Sequence, residues 1–202
     1  YKCGKCPECL DEKRKELFCR FMNELKYRGG RVSFVTLTYS NFGLDSIIGT
    51  NAYEDVQKFM KRLRRYVSYH FPNNGPIKFF CTPELGEKRG RFHWHLLLFN
   101  MPYIHWSHFY NTDKKGFWKL GTVDVSEIRD VHKTLNYVTK YIGKQPPLLT
   151  LKKYQIKRKY NASNNLGFRQ YSEKEFLPMV RNGKFHFNGF AYAIPQYYFK
   201  KI

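Results

Sequence analysis

The stretch RFHWHLLLF, residues 91–99, restricts the fold more than any other part of the chain. Side chains alternate along an extended strand. Phe92, Trp94, Leu96 and Leu98 therefore make one wholly apolar face, and the other reads His93, His95, Leu97, Phe99. Such a strand belongs in a sheet with a hydrophobic core. The two histidines then have two readings. Either that half of the face opens to solvent, or the imidazoles grip a ligand together.

The rest of the pattern alternates between strand and helix. Residues 10–28 place Leu10, Leu17, Phe18, Phe21, Met22 and Leu25 near helical spacing, and Gly29 and Gly30 stop the helix. RVSFVTLTY (31–39) is rich in β-branched and aromatic residues and predicts a strand. Asn51 and Glu54 have the spacing of a capping box before a helix whose apolar side is Tyr53, Val56, Phe59, Met60, Leu63, Tyr66 and Val67. Residues 76–84 and 91–99 read as two strands around EKRG, with a short helix near 105–111 and a strand at 122–128. Residues 130–144 read as a helix with Asp130 as N-cap, ended by Gly143 and the Pro146–Pro147 pair. The segment 148–202 holds the basic run LKKYQIKRKY and a terminal hairpin from FHFNGFAYAI. The order β, α, β, β, β, α predicts an α+β fold, an antiparallel sheet with helices mainly on one side. It divides into an N-terminal cysteine-containing segment and helix (1–30), a core (31–145) and a basic extension (146–202).

Charge narrows the class of partner. Lys and Arg number 36 against 16 Asp and Glu, a net charge of +20 in 202 residues, and self-repulsion on this scale points to a polyanion. Aromatic residues make up 18%, and rings interleaved with cations suit single-stranded nucleic acid. The helix after Asn51 carries Lys58, Lys61, Arg62, Arg64 and Arg65, which read equally as a solvated face or as phosphate contacts. No apolar run approaches the ~20 residues a bilayer span needs. Five cysteines, three of them crowded at positions 3, 6 and 9, argue against a secreted disulfide framework and for an intracellular protein. Cys3, Cys6 and Cys9 are spaced either to hold zinc, with Cys19 or a distant residue as fourth ligand, or to pack against the first helix.

If the hairpin turns between Lys88 and Arg89, Glu84 lies directly opposite His93, where Cβ atoms sit ~4.5–5.5 Å apart. Glu84, His93 and His95 then form a mixed nitrogen–oxygen site for a divalent cation, with positions left open for substrate oxygens. Glu87 is the alternative carboxylate. Farther on, YVTKYIGK (137–144) sets Tyr137, Lys140, Tyr141 and Lys144 within about 100° of helical arc. Two phenols one turn apart, each beside a cation, read as ring packing at a core edge or as a nucleophile pair. A phenol, with an ordinary pKa of ~10, needs such help to attack at neutral pH.

Taken together, VTLTY (35–39), HWH (93–95) and YVTKY (137–141) resemble the three ordered motifs of the HUH endonuclease superfamily of rolling-circle replication initiators. The resemblance is closest to the initiators of microviruses, the gokushovirus-like and Bacteroides-associated single-stranded DNA phages. CGKCPEC, FMKRLRRY, PELGEKRGRFHWH and IPQYYFKKI add local matches, so it spans most of the chain. It implies a Rep-type fold with a central antiparallel sheet flanked by helices, metal ligands at Glu84, His93 and His95, and nucleophiles at Tyr137 and Tyr141. Lys140 and Lys144 assist those nucleophiles, and Thr36, Thr38, Lys58, Arg62 and Arg65 are candidate DNA contacts. The expected activity is metal-dependent nicking and rejoining of single-stranded origin DNA through a 5′-phosphotyrosine. Mg or Mn is the expected ion, the host replication machinery the expected partner, and the host bacterial cytoplasm the expected compartment. A single-tyrosine transposase, a plasmid relaxase and a non-enzymatic basic DNA binder are the alternatives. No phosphate-binding GxxxxGK loop is present.

Overall fold

A computed structural model describes residues 3–4, 6–28, 31–86, 90–109, 116–128, 133–134, 137–138, 148–156, 160–168, 173–187 and 190–199. Five strands form one antiparallel sheet: β1 (Arg31–Tyr39), β2 (Lys78–Leu85), β3 (Phe92–Met101), β4 (Gly121–Glu127) and β5 (Asn161–Ala162), in the spatial order β4-β1-β3-β2-β5. The fifth strand comes from the basic extension and pairs with β2.

The helices cover both faces of the sheet, not mainly one. Helix α3 (Tyr53–His70) lays Val56, Phe59, Met60, Leu63 and Val67 against Val35 and Leu37 of β1, Phe79 and Cys81 of β2, and Trp94, Leu96 and Leu98 of β3. Helix α1 (Pro7–Arg28) covers the other side, setting Leu17, Phe18, Phe21 and Met22 on Val32, Phe80, Leu97 and Phe99. Strand alternation is the cause: β3 has apolar side chains on both faces, and each must be buried. Two separate amphipathic helices meet that demand.

The even-numbered face of β3 is anchored by a buried polar chain. Trp94 Nε1 donates to the Tyr39 hydroxyl at 3.3 Å, which in turn donates to Asp55 Oδ2 at 3.3 Å. Burial first, and then the Asp55 charge, push the Tyr39 phenol far above its ordinary value, so it stays a neutral donor.

Several local expectations change in detail. Asn51 does not form a capping box with Glu54; its side chain accepts from the Tyr53 backbone N–H at 3.3 Å, two residues on. The helix expected near 105–111 is a single 3₁₀ turn, Trp106–His108. Short helices at Asn41–Ser46 (α2), Leu148–Lys153, Glu173–Asn182 and Gln196–Phe199 add to those expected. The terminal hairpin forms from β6 (Lys184–Phe187) and β7 (Phe190–Ala193). The helix expected at 130–144 falls mostly outside the described residues. So do the Gly29–Gly30 stop, the Lys88–Arg89 turn, Gly143 and the Pro146–Pro147 pair. No helix among the described residues is long and apolar enough to cross a membrane.

Candidate metal centre

The α1 face of the sheet divides into halves. One is the apolar floor beneath α1; the other is two cross-strand rows of polar side chains. Thr122, Thr38, His93 and Glu84 lie side by side across β4, β1, β3 and β2, and Asp124, Thr36, His95 and Thr82 form the next row. The β2–β3 register pairs Glu84 with His93 and Lys78 with Phe99, as a turn between residues 88 and 89 requires. A one-residue slip would have carried Glu84 to the α3 face.

Within these rows three ligand atoms converge. His93 Nε2 lies 3.1 Å from Glu84 Oε2 and 3.2 Å from His95 Nε2, and His95 Nε2 also contacts Glu84 Oε2. All three ligand atoms fall within 4.8 Å of one another. Ligands about 2.1 Å from one octahedral ion and at right angles to each other sit about 3.0 Å apart, so these spacings suit one small divalent cation. The donor set, two imidazoles and one carboxylate, leaves half of an octahedron free.

The ring orientations are fixed from behind. His93 Nδ1 lies 3.0 Å from the Arg91 carbonyl, which can only accept. The proton therefore sits on Nδ1, and the neutral ring turns an Nε2 lone pair toward Glu84. The same carbonyl accepts from Gly86 N at 2.9 Å, which ties the ring to the hairpin end. His95 Nδ1 lies 3.2 Å from Thr36 Oγ1. A hydroxyl donates or accepts, so Thr36 suits either tautomer of His95. Phe34 stacks on the His95 ring at 5.1 Å and completes its packing. Burial acts to raise the Glu84 carboxyl, but hydrogen bonds from His93 and His95 outweigh it and lower the group to about 2. Glu84 is thus held as a carboxylate.

Tyr137 stands on the same face. Its ring meets Phe34 edge-on at 6.1 Å, placing the phenol two ring contacts from His95, and the side chain is 47% exposed. Val138 beside it joins the core beneath α1. Tyr141, Lys140, Lys144 and the alternative carboxylate Glu87 lie outside the described residues. Of the candidate DNA contacts, Thr36 and Thr38 flank the cluster on β1. Lys58, Arg62 and Arg65 stand on α3, across the sheet from it. There Arg62 donates to the Phe117 carbonyl at 2.9 Å, Arg64 to that of Ile77 at 3.0 Å, and Lys58 pairs with Asp55. Phe34 and the Arg91 carbonyl were missed in the sequence. Phe34 was within reach, because it shares a strand face with Thr36.

Cys3, Cys6 and Cys9 form a second cluster at the start of α1. Cys19 cannot serve it: it is buried in the core, ten residues beyond Cys9 on the same helix, an axial rise of about 15 Å.

An antiparallel sheet with a helix on each face, and two histidines and a carboxylate converging on one half-face, defines an α+β domain with a candidate single-ion centre. Residues 32–146, more than half of the chain, match the family model for replication-associated protein ORF2 (gene 2 protein), and the chain belongs to that family. It is 33% identical to replication-associated protein ORF4 of Chlamydia phage 1, over 97% of this chain and 52% of the relative. It is 28% identical to replication-associated protein ORF2 of Spiroplasma virus 4, over 86% of this chain and 57% of the relative. Replication-associated protein VP4 of Bdellovibrio phage phiMH2K is 31% identical over 50% of this chain and 31% of its own length. The chain spans about half the length of the first two relatives. No solved structure matches it.

Proposed function

We propose that the chain initiates replication by nicking and rejoining single-stranded origin DNA with a tyrosine nucleophile. The observation that carries this reading is the convergence of Glu84 Oε2, His93 Nε2 and His95 Nε2 on the sheet face that also presents Tyr137. Glu84, His93 and His95 would hold Mg or Mn. When bound, the ion supplies Lewis-acid stabilisation of charge on a nonbridging phosphate oxygen.

The protein's own groups account for the rest. Thr36 and the Arg91 carbonyl hold the two imidazoles in place, and the polar rows on β1 and β3 form the floor on which the scissile phosphate lies. The phenol of Tyr137 or Tyr141 attacks phosphorus as Lys140 and Lys144 offset the developing phenolate charge. A phosphorus–oxygen bond to tyrosine forms, and the bond to the 3′ oxygen breaks. The 3′ oxygen takes up a proton, and the phenol's proton passes to solvent. The number of phosphoester bonds is unchanged, so a 3′-hydroxyl can later reverse the step without ATP. With two tyrosines, one holds the 5′ end while the other cuts the regenerated origin.

Lys58, Arg62 and Arg65, on the opposite face, serve a separate stretch of DNA that wraps the sheet edge. Segments 1–30 and 146–202 act as buttresses of the 31–145 core. The setting is the cytoplasm of a phage-infected bacterium, with host replication proteins as partners.

The test is a labelled single-stranded origin oligonucleotide incubated with Mn²⁺. A denaturation-resistant adduct should form, fall sharply with Glu84→Ala or His95→Ala, and disappear in the Tyr137→Phe/Tyr141→Phe double variant. Full adduct in that double variant refutes the tyrosine mechanism. No adduct with any origin strand, despite tight binding, assigns the chain to non-enzymatic DNA binders.

A further inference from the structure

We propose that Cys3, Cys6 and Cys9 bind a structural zinc ion that clips the chain to the N-terminus of α1. The five cysteines fall into two kinds. Cys19 and Cys81 are core residues, fully explained by packing. Cys3 is exposed, Cys6 and Cys9 are half-buried, and none of the three belongs to a hydrophobic core cluster. Packing therefore accounts for the first pair and not for these three.

Their convergence has a local cause. Gly4 takes a left-handed conformation, φ +69°, and turns the chain so that the Cys6 backbone N–H donates to Cys3 Sγ at 3.2 Å. Cys6 is then the last residue before the helix. Its carbonyl accepts the first helical bond from Leu10 N at 3.0 Å, and Pro7 occupies the opening helical position, where no N–H is needed. Cys9, one turn in, points back at the other two. Cys3 Sγ and Cys9 Sγ are 3.9 Å apart, and all three sulfurs lie within 4.8 Å of one another.

Those distances discriminate between ligands. Zinc–thiolate bonds of about 2.3 Å in a tetrahedron put sulfurs about 3.8 Å apart. A disulfide requires about 2.05 Å, which would pull Cys3 and Cys9 out of this arrangement. The backbone N–H aimed at Cys3 Sγ stabilises a thiolate, as a metal ligand requires. Three thiolates leave one coordination position for a non-thiolate ligand, and Cys19 is too far to take it. By closing the loop ahead of α1, the ion would fix the end of the helix that roofs half of the catalytic face.

The test uses the full chain with zinc as the probe. Purified, zinc-loaded protein should retain one zinc per chain by elemental analysis in the His93→Ala/His95→Ala background, and lose it in the Cys3→Ser/Cys6→Ser/Cys9→Ser variant. Cobalt in its place should give the intense tetrahedral thiolate spectrum. Because the serine variant could fail to fold, the unaltered chain supplies a second readout. Brief alkylation of the zinc-loaded protein should label none of these three thiols, and chelator should expose all three, with Cys19 and Cys81 protected in both states. Equal labelling of Cys3, Cys6 and Cys9 before and after chelation overturns the proposal, as does a Cys3–Cys9 disulfide found by mass.

Discussion

Replacing Thr36 with valine isolates one atom of the metal centre. The variant keeps the β-branched shape, so strand β1 and its pairing with β3 are undisturbed, and only Oγ1 is lost. That oxygen lies 3.2 Å from His95 Nδ1 and holds this ring from behind. Without it, Phe34 still stacks on His95 but cannot fix rotation of the ring about its own plane normal or favour one tautomer. Loss of such a supporting hydrogen bond lowers metal affinity by about 10–100-fold, equivalent to about 1.4–2.8 kcal/mol. Thermal stability in chelator should change little, because the group removed is small and only part-buried. Isothermal titration with Mn²⁺ measures the first effect and a melting curve in EDTA the second. Thr36→Ser, which restores a hydroxyl, should recover most of the affinity. Unchanged Mn²⁺ affinity in Thr36→Val, with melting also unchanged, would show that His95 is oriented by something else and that the proposed support is wrong.

Two further outcomes follow from the same geometry. Because the Glu84 carboxyl is lowered from 4.5 to about 2, the stability it contributes is present above the ordinary value and lost as pH falls through about 2. Metal-free wild type should therefore lose more urea resistance than Glu84→Gln between neutral pH and this acid range; parallel losses would contradict it. For DNA, Lys61 and Arg65 are the exposed cations of α3, whereas Arg62 and Arg64 hold backbone carbonyls. Lys61→Gln/Arg65→Gln should reduce the slope of log K against log salt by about 1.4 if both touch single-strand phosphates. An unchanged slope leaves this face solvated.

Much of the metal centre was legible in the chain because the rules that build it are local. A period-two pattern put His93 and His95 on one side of β3, and a tight hairpin with a fixed turn allowed Glu84 to be matched to His93 nine residues away. Both depend only on neighbouring backbone. The roofing of the sheet was not local. An apolar face signals that something covers it but not what. Only the packing shows that α1 takes one face and α3 the other, and so that Lys58, Arg62 and Arg65 stand across the sheet from the histidines. Thr36 and Phe34 illustrate the same limit. They reach His95 through a pairing of β1 with β3 that closes a loop of about sixty residues, and nothing in the spacing of either segment specifies that register. The sequence by itself determined which residues share a strand face. The tertiary structure decided which faces meet, because contacts between distant segments are chosen by the burial of the whole chain rather than by any one part of it.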